Sequence, residues 1–158
     1  VANYLLELSV SKSFSKIEIA TFHNLAGRDV SGSILMNRGG GSEIHSTFYT
    51  FQMLSEMFNH KDLTIDKIKI NDFCYVYTCR ENNNEKYKYI INWSSEVQKI
   101  SFNEVLSQTT LKECFGKELY FNNKEKRDIN YTIEEVEDMS ELEIKPYSVT
   151  LVTVKNEK

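Results

Sequence analysis

Hydrophobic and polar residues alternate most regularly near the end of the chain, from Leu142 to Val154. After Pro146, the residues Tyr147, Val149 and Leu151 alternate with smaller residues, several of them β-branched. This pattern predicts a strand with one buried face. Because Pro146 has no N–H to donate, we expect it at an edge, a bulge or a bend between two halves of the strand. A C-terminal strand of this kind is expected to complete a sheet that earlier strands begin.

The same alternation recurs in shorter runs from Leu63 onward. It predicts strands over Asp66–Ile70, Phe73–Arg80, Lys86–Trp93, Glu96–Phe102 and Leu111–Tyr120. The polar residues 81–85 predict a turn, so residues 73–93 form a predicted hairpin. The acidic run from Glu134 to Glu141 is predicted to be a solvated loop. Short strands at this spacing are typical of an antiparallel β-sandwich.

Residues 1–60 follow a different pattern: a short helix, a strand over Lys16–Leu25, a short extended piece, a glycine-rich loop and a second helix. We expect this second helix to run from Ser42, as N-cap, to Phe58 and to bury Phe48, Phe51 and Leu54. The order of elements is that of α/β packing. The predicted fold class is therefore mainly β, with an α/β segment at 1–60 and an antiparallel β-sandwich at 61–158.

Composition excludes several classes of function. The net charge is −4 and the charges are interspersed, so we expect no direct contact with nucleic acid. No apolar run could span a bilayer, and the first residues lack the basic region of a signal peptide, so a cytoplasmic protein without membrane contact is expected. No cofactor is predicted. No metal site is predicted either, because the three histidines are scattered and no Cys or His pair has ligand spacing.

The three cysteines are Cys74, Cys79 and Cys114, an odd number. Cys74 and Cys79 lie five residues apart in one predicted strand, so their side chains point to opposite faces and cannot form a disulfide there. Reduced, buried thiols are the expected state in a cytoplasmic protein.

Aromatic residues raise the question of sugar binding. Four tyrosines lie at even spacing on the predicted hairpin: Tyr75, Tyr77, Tyr87 and Tyr89. We expect them to form one side of a core, the alternative being an open face that binds sugar. Trp93, the only tryptophan, is expected to be buried, so that its truncation would unfold the protein. The alternative is an exposed ring on which a sugar stacks. No catalytic residue is predicted.

Several stretches resemble glycoside hydrolase family 39, which contains β-xylosidases and α-iduronidases. The run K-P-Y-S-V-T-L-V-T-V resembles the final "P-Y-S-V-T-L" strand of that family's β-sandwich, and S-T-F-Y-T-F-Q-M-L-S-E-M resembles its last barrel helix. The ending Y-I-I-N-W resembles the strand that opens the sandwich, and I-A-T-F-H-N-L stands at the eighth barrel strand. Families 51 and 79 share this layout. The resemblance implies the end of a (β/α)8 barrel followed by its C-terminal β-sandwich.

The resemblance also implies which residues carry function. The acid/base carboxylate and the nucleophile of such a barrel would both lie before Val1, so this segment is expected to be non-catalytic. At the eighth strand, Ala20 replaces the family aromatic that lines the sugar site, while His23 and Asn24 replace its polar pair. Because barrel sites form at this end of the strands, His23 and Asn24 are the candidate ligand-binding residues.

Two functions are compatible with this resemblance. One is a non-catalytic accessory module of a family 39-type protein, whose partner is the upstream barrel of the same chain and whose candidate ligand is a saccharide. The other is the C-terminal sensor or scaffold domain of an AraC-type transcriptional regulator with a degenerate glycosidase domain. A Glu-bearing seventh-strand motif upstream would indicate the enzyme, and a helix-turn-helix would indicate the regulator.

Overall fold

The computed structural model describes residues 6–7, 10, 26–27, 35–38, 41–44, 46–58, 60, 62–106, 109–115 and 130–154. Leu6, Glu7 and Val10 have helical geometry, and one longer helix, α1 (Ser46–Phe58), follows later. The strands are β1 (Ala26–Gly27), β2 (Leu35–Arg38), β3 (Gly41–Ile44), β4 (Leu63–Asn71), β5 (Cys74–Glu81), β6 (Asn84–Asn92), β7 (Gln98–Leu106), β8 (Thr109–Phe115), β9 (Asn130–Val136), β10 (Met139–Ile144) and β11 (Ser148–Val154). The predicted strand Lys16–Leu25 lies outside the described residues.

The strands from β4 onward form two antiparallel sheets. The large sheet has the strand order β4-β5-β6-β11-β8-β9, and the small sheet pairs β10 with β7. Together with α1, and with β1–β3 ahead of it, they confirm the predicted fold class, a mainly β protein with an antiparallel sandwich. The C-terminal strand β11 does not lie at an edge, because it pairs with β6 on one side and β8 on the other.

A hydrophobic core lies on each face of the large sheet. On one face, Tyr77, Tyr89 and Leu151 pack with Met53 and Leu54 of α1. On the other face, residues of the large sheet pack with residues of the small sheet: Val76, Ile90 and Val152 with Ile100 and Ile144. The expectation that β11 has one buried face was therefore wrong. Alternation in the sequence predicts that one face of a strand is buried. It cannot predict that a helix covers one face and a second sheet covers the other.

The helix α1 begins later than the sequence predicted. Gly41–Ile44 forms β3 and pairs with β2, so Ser42 is part of a strand and not an N-cap. The expected stripe is also only partly right: Leu54 is fully buried, whereas Phe48 and Phe51 are half-buried. Among the residues of α1 whose side chains are described, the buried ones are Thr50, Met53 and Leu54. Pairing with a neighbouring strand outweighed the local capping signal at Ser42, because it satisfies several backbone groups at once.

The acidic run from Glu134 to Glu141 is not a loop. Its residues belong to β9 and β10, which are joined through Glu137 and Asp138, and Asp138 has a φ of 54°. Most of the carboxylates point to water from strands that pair with β8 and β7. Within the predicted loop, Met139 belongs to the core between the sheets, together with Leu142 and Ile144 of the same strand.

Candidate functional site

The two residues predicted to bind ligand, His23 and Asn24, lie outside the described residues. Their role therefore stays a prediction. The side chains of most residues of α1 and of the two sheets are described.

The tyrosines of the hairpin form part of the core, as predicted. Tyr77 and Tyr89 are fully buried, and both hydroxyls have acceptors: Tyr77 donates to Oε1 of Glu7 at 2.6 Å, and Tyr89 donates to the carbonyl of Met53 at 2.6 Å. Burial, helped by the adjacent Glu7 carboxylate, raises the pKa of Tyr77 far above its usual range. These hydroxyls attach helical segments to the large sheet, so the tyrosine face is not an open surface for sugar.

Trp93 is not in the core. Its side chain is 40% exposed, so the prediction of a buried ring was wrong. Strand β6 ends at Asn92, and the backbone N–H of Trp93 then donates to the carbonyl of Phe73 at 2.8 Å. Phe73 is 58% exposed. Two aromatic residues thus lie side by side at the end of the β5–β6 hairpin, both open to water.

The residue buried at this end of the sheet is Asn92. Its Nδ2 donates to the carbonyls of Glu96 at 2.8 Å and Lys145 at 3.0 Å, and its Oδ1 accepts from the Ser94 N–H at 3.1 Å and the Ser94 hydroxyl at 2.7 Å. One amide therefore connects the end of β6, the turn that follows it and the link between β10 and β11. A polar residue at the end of an apolar run was the available signal in the sequence.

A hydrogen-bonded group of three side chains was missed by the sequence analysis. Nδ1 of His60 lies 3.1 Å from Oε1 of Glu81, and its Nε2 lies 2.8 Å from the hydroxyl of Tyr87. Because a carboxylate only accepts, a neutral His60 donates from Nδ1 and accepts the Tyr87 proton at Nε2. Burial raises the pKa of Tyr87, and the nearby carboxylates of Glu56 and Glu81 add to this.

This group joins the segment after α1 to the tip of the β5–β6 hairpin. Its members are 21 and 27 positions apart, so no local motif could have predicted it. A nucleophile, a base and an orienting carboxylate have this arrangement in hydrolases. The high pKa of the Tyr87 hydroxyl, however, favours a structural hydrogen bond over an activated nucleophile.

A groove of about 790 Å³ lies between the large sheet and β7. Its floor comes from β4, β5 and β6 and carries both apolar and charged residues, while Phe102, Asn103 and Val105 of β7 form a wall. The charges on the floor are paired with each other. Arg80 contacts Asp66 and Glu85, and Lys88 contacts Glu85. The groove is thus large enough for a ligand, and its charged groups already have partners.

Neither a reactive thiol nor a metal site finds support in the part of the chain that the structure describes. Cys74, Cys79 and Cys114 are buried, and Cys74 and Cys79 lie in different cores, as the spacing predicted. Burial raises the pKa of Cys79 and of Cys114 to about 12, which keeps both thiols protonated at neutral pH. Within the described ranges, no three His, Cys, Asp or Glu side chains converge as a metal site would require. No described helix has the length and apolar character needed to cross a membrane.

Comparison with known proteins gives a fold but no family. No protein-family model matches the chain, and no curated protein matches it. Among solved structures, an arabinose-bound GH51 α-L-arabinofuranosidase aligns with 97% of this chain and 26% of its own, at a TM-score of 0.70 and 15% identity. The GH51 α-L-arabinofuranosidase of Thermotoga petrophila aligns with 78% of this chain and 31% of its own (TM-score 0.53, 12% identity).

A third similar structure is the catalytic domain of GH30 xylanase C from Talaromyces cellulolyticus, which aligns with 78% of this chain and 27% of its own (TM-score 0.52, 10% identity). The chain therefore spans about a quarter to a third of the length of these structures. At such low identities the likeness shows the fold alone. That fold is glycosidase-like, and the assignment to family 39 or to an AraC-type regulator stays a prediction.

Proposed function

We propose that this chain is a non-catalytic accessory module of a larger, cytoplasmic, glycosidase-like protein. In this proposal, residues 1–60 supply the last elements of a barrel and residues 61–158 form the β-sandwich that supports it. The observation that carries the proposal is the alignment with an arabinofuranosidase over 97% of this chain but only 26% of the enzyme. A segment that corresponds to only about a quarter of such an enzyme is expected to function as one part of a larger protein.

The arrangement of the described side chains supports a structural role. The large sheet is covered on one face by α1, and several contacts fix that helix in place. Lys112 forms an ion pair with Glu56 of α1, and Tyr89 donates to the Met53 carbonyl. Retaining glycosidases need two carboxyl groups about 5 Å apart across one sugar. The resemblance to family 39 puts that pair before Val1, in the barrel that this module would support.

The test begins with the complete open reading frame. A barrel with a Glu at the end of its seventh strand supports the accessory module of an enzyme. A helix-turn-helix before the barrel supports the AraC-type regulator instead, for which the replacement of the strand-eight residues by Ala20, His23 and Asn24 is the favouring observation. A reading frame with no polypeptide beyond residues 1–158 would refute both.

Activity measurements then compare the full-length protein with the 158-residue chain on aryl α-L-arabinofuranosides and aryl β-xylosides. We expect hydrolysis by the full-length enzyme and none by the isolated chain. In the full-length protein, His23→Ala is expected to raise KM for the sugar if His23 binds ligand, while kcat changes less. Hydrolysis by the isolated chain, abolished by a point change within it, would contradict the proposal.

A further inference from the structure

A row of three polar residues crosses the large sheet on the face that packs against the small sheet. Thr150 of β11 lies opposite Glu113 of β8, and Glu113 in turn lies opposite Thr132 of β9. Residues directly opposite each other on paired strands share one face of the sheet. Thr150 is two positions from Val152, which belongs to the core between the two sheets. The row therefore lies on the same side as that core.

The polar groups of this row are withdrawn from bulk water. Thr150 is 0% exposed and Glu113 is 3% exposed, and the hydroxyl oxygens of Thr150 and Thr132 are both buried. On its other side, Thr150 lies opposite Ile90, a fully buried residue of the same core. Polar groups in such surroundings lose their hydrogen bonds to solvent and need partners in the interior.

The carboxylate of Glu113 has a protein partner, whereas the two hydroxyls have none. Lys145, which follows β10, donates from Nζ to Oε2 of Glu113 at 2.5 Å. Among the residues that the structure describes, neither Oγ1 of Thr150 nor Oγ1 of Thr132 has a hydrogen-bond partner. Neither hydroxyl therefore bonds to Glu113, although both threonines are its neighbours in the sheet. A carboxylate has about four acceptor positions, so Glu113 can accept further hydrogen bonds beside that from Lys145.

An internal water is the partner that fits these groups. Buried polar groups that find no protein partner are commonly satisfied by ordered water with two to four hydrogen bonds. The Cβ atoms of opposite residues in a sheet are about 5 Å apart. Where a hydroxyl and a carboxylate at this spacing do not bond directly, one water can join them. A metal ion is disfavoured here, because the Lys145 ammonium already pairs with the Glu113 carboxylate.

We propose that the sandwich binds an internal water between the Thr150 hydroxyl and the Glu113 carboxylate, and that Thr132 forms a second water site on the other side of Glu113. At the first site the Thr150 hydroxyl donates to the water, and the water donates to Glu113. The inference does not depend on the proposed function, since it concerns only the interior of the sandwich.

A crystal structure at a resolution that shows ordered water tests the proposal directly. We expect a water oxygen within about 2.5–3.0 Å of both Oγ1 of Thr150 and a carboxylate oxygen of Glu113. Thr109 is the control, because it is equally buried but its hydroxyl donates to the Val136 carbonyl at 3.2 Å. No water is expected at that hydroxyl. A direct hydrogen bond between Thr150 and Glu113, or no water at the Thr150 hydroxyl, would overturn the inference.

Two variants of Thr150 separate a bound water from an unpaired hydroxyl. Valine removes the hydroxyl and keeps the shape of the side chain, so Thr150→Val should lose the water and raise the equilibrium constant of unfolding by about tenfold. Serine keeps the hydroxyl, so Thr150→Ser should keep the water. If the hydroxyl has no partner at all, Thr150→Val should stabilise the fold, and that result would refute the proposal. The crystal structure of the natural sequence decides the question even if Thr150→Val does not fold.

Discussion

Asn92 shows how much one buried amide can hold together at the end of a sheet. It is 1% exposed and forms hydrogen bonds with the backbone of two other segments, the turn that contains Ser94 and Glu96 and the link at Lys145. Removing it leaves the carbonyls of Glu96 and Lys145 and the N–H of Ser94 without this partner. Buried polar groups that lose a partner each cost about 1–3 kcal/mol.

We therefore expect Asn92→Ala to lower the free energy of unfolding by about 2–4 kcal/mol in urea denaturation. Asn103→Ala is the control, because Asn103 is exposed on β7 and its truncation should change stability by less than about 0.5 kcal/mol. Equal losses in the two variants would show that the network around Asn92 contributes nothing specific.

Trp93, in contrast to Asn92, is expected to contribute little to the free energy of unfolding. Because Trp93 is 40% exposed, Trp93→Ala should cost no more than about 2 kcal/mol, whereas Tyr89→Ala, at a fully buried position, should cost about 3–5 kcal/mol. Trp93 is the only tryptophan, so the native emission spectrum reports on this position alone. We expect an emission maximum that moves little on denaturation. A strongly blue-shifted native spectrum, or a loss as large as that of Tyr89→Ala, would contradict this.

The contrast between Trp93 and the tyrosines shows what alternation can and cannot predict. The even spacing of Tyr75, Tyr77, Tyr87 and Tyr89 correctly predicted one shared, inward face, because the side-chain period of a strand is fixed. The same rule extended the predicted strand by one residue too many, to Trp93. The strand ends at Asn92, and the end of a strand depends on tertiary contacts such as those of Asn92, which the sequence pattern does not contain.

The β5–β6 hairpin is the element for which the sequence was most informative. Its turn residues, Asn82 and Asn83, have φ values of 51° and 66°, and both are exposed. Two consecutive residues with positive φ are the requirement of a type I′ turn, whose twist matches that of the strands. Asparagine tolerates this left-handed region better than other residues with a side chain, and glycine tolerates it best.

We expect Asn83→Gly to maintain or raise the melting temperature and Asn83→Val to lower it, since a β-branched residue at positive φ costs about 1–2 kcal/mol. Differential scanning calorimetry of the two variants measures both effects. Ser95→Val, at an exposed position outside the hairpin turn, is the control for adding a valine. If Asn83→Val is as stable as the natural sequence, the turn is not under the constraint described.

Helix α1 and the β9–β10 pair show why other elements were predicted less well. At Ser42 a good local cap competed with strand pairing between β2 and β3, and the pairing prevailed. In β9 and β10 the acidic side chains suggested a loop, yet they lie on the exposed sides of paired strands. In both places the deciding contact comes from a neighbouring strand. The His60–Glu81–Tyr87 group was unpredictable for the same reason, because the fold alone brings its members together.

At the scale of the described molecule, the two cores lie on either side of the central strands of the large sheet. β6 and β11 lie in the middle of the large sheet, with α1 on one side and the small sheet on the other. Among the residues that the structure describes, the outer strand β4 is covered on one face only, and Ile68 and Ile70 are exposed in the groove.

The helical segment near the N-terminus is fixed to the large sheet through Glu7, and this contact should make stability depend on acid. Glu7 pairs with Lys67 of β4 and accepts from the Tyr77 hydroxyl of β5 at 2.6 Å. Burial raises the pKa of Glu7, but the hydrogen bonds from Lys67 and Tyr77 outweigh it and hold the pKa below the usual 4.5. A lowered pKa in the folded state means that the contribution of Glu7 is present above pH 4.5 and is lost as the pH falls through the folded-state pKa.

Glu7→Gln tests this dependence, because the amide cannot titrate. The variant should melt at a lower temperature than the natural sequence at pH 7, since it lacks the carboxylate that Lys67 contacts. The difference between the two melting temperatures should shrink as the pH is lowered below 4.5, through the folded-state pKa of Glu7. Glu137→Gln, in the exposed β9–β10 turn, should show no such convergence. A Glu7→Gln difference that stays constant over this range would show that the charge of Glu7 does not hold the N-terminal segment to the sheet.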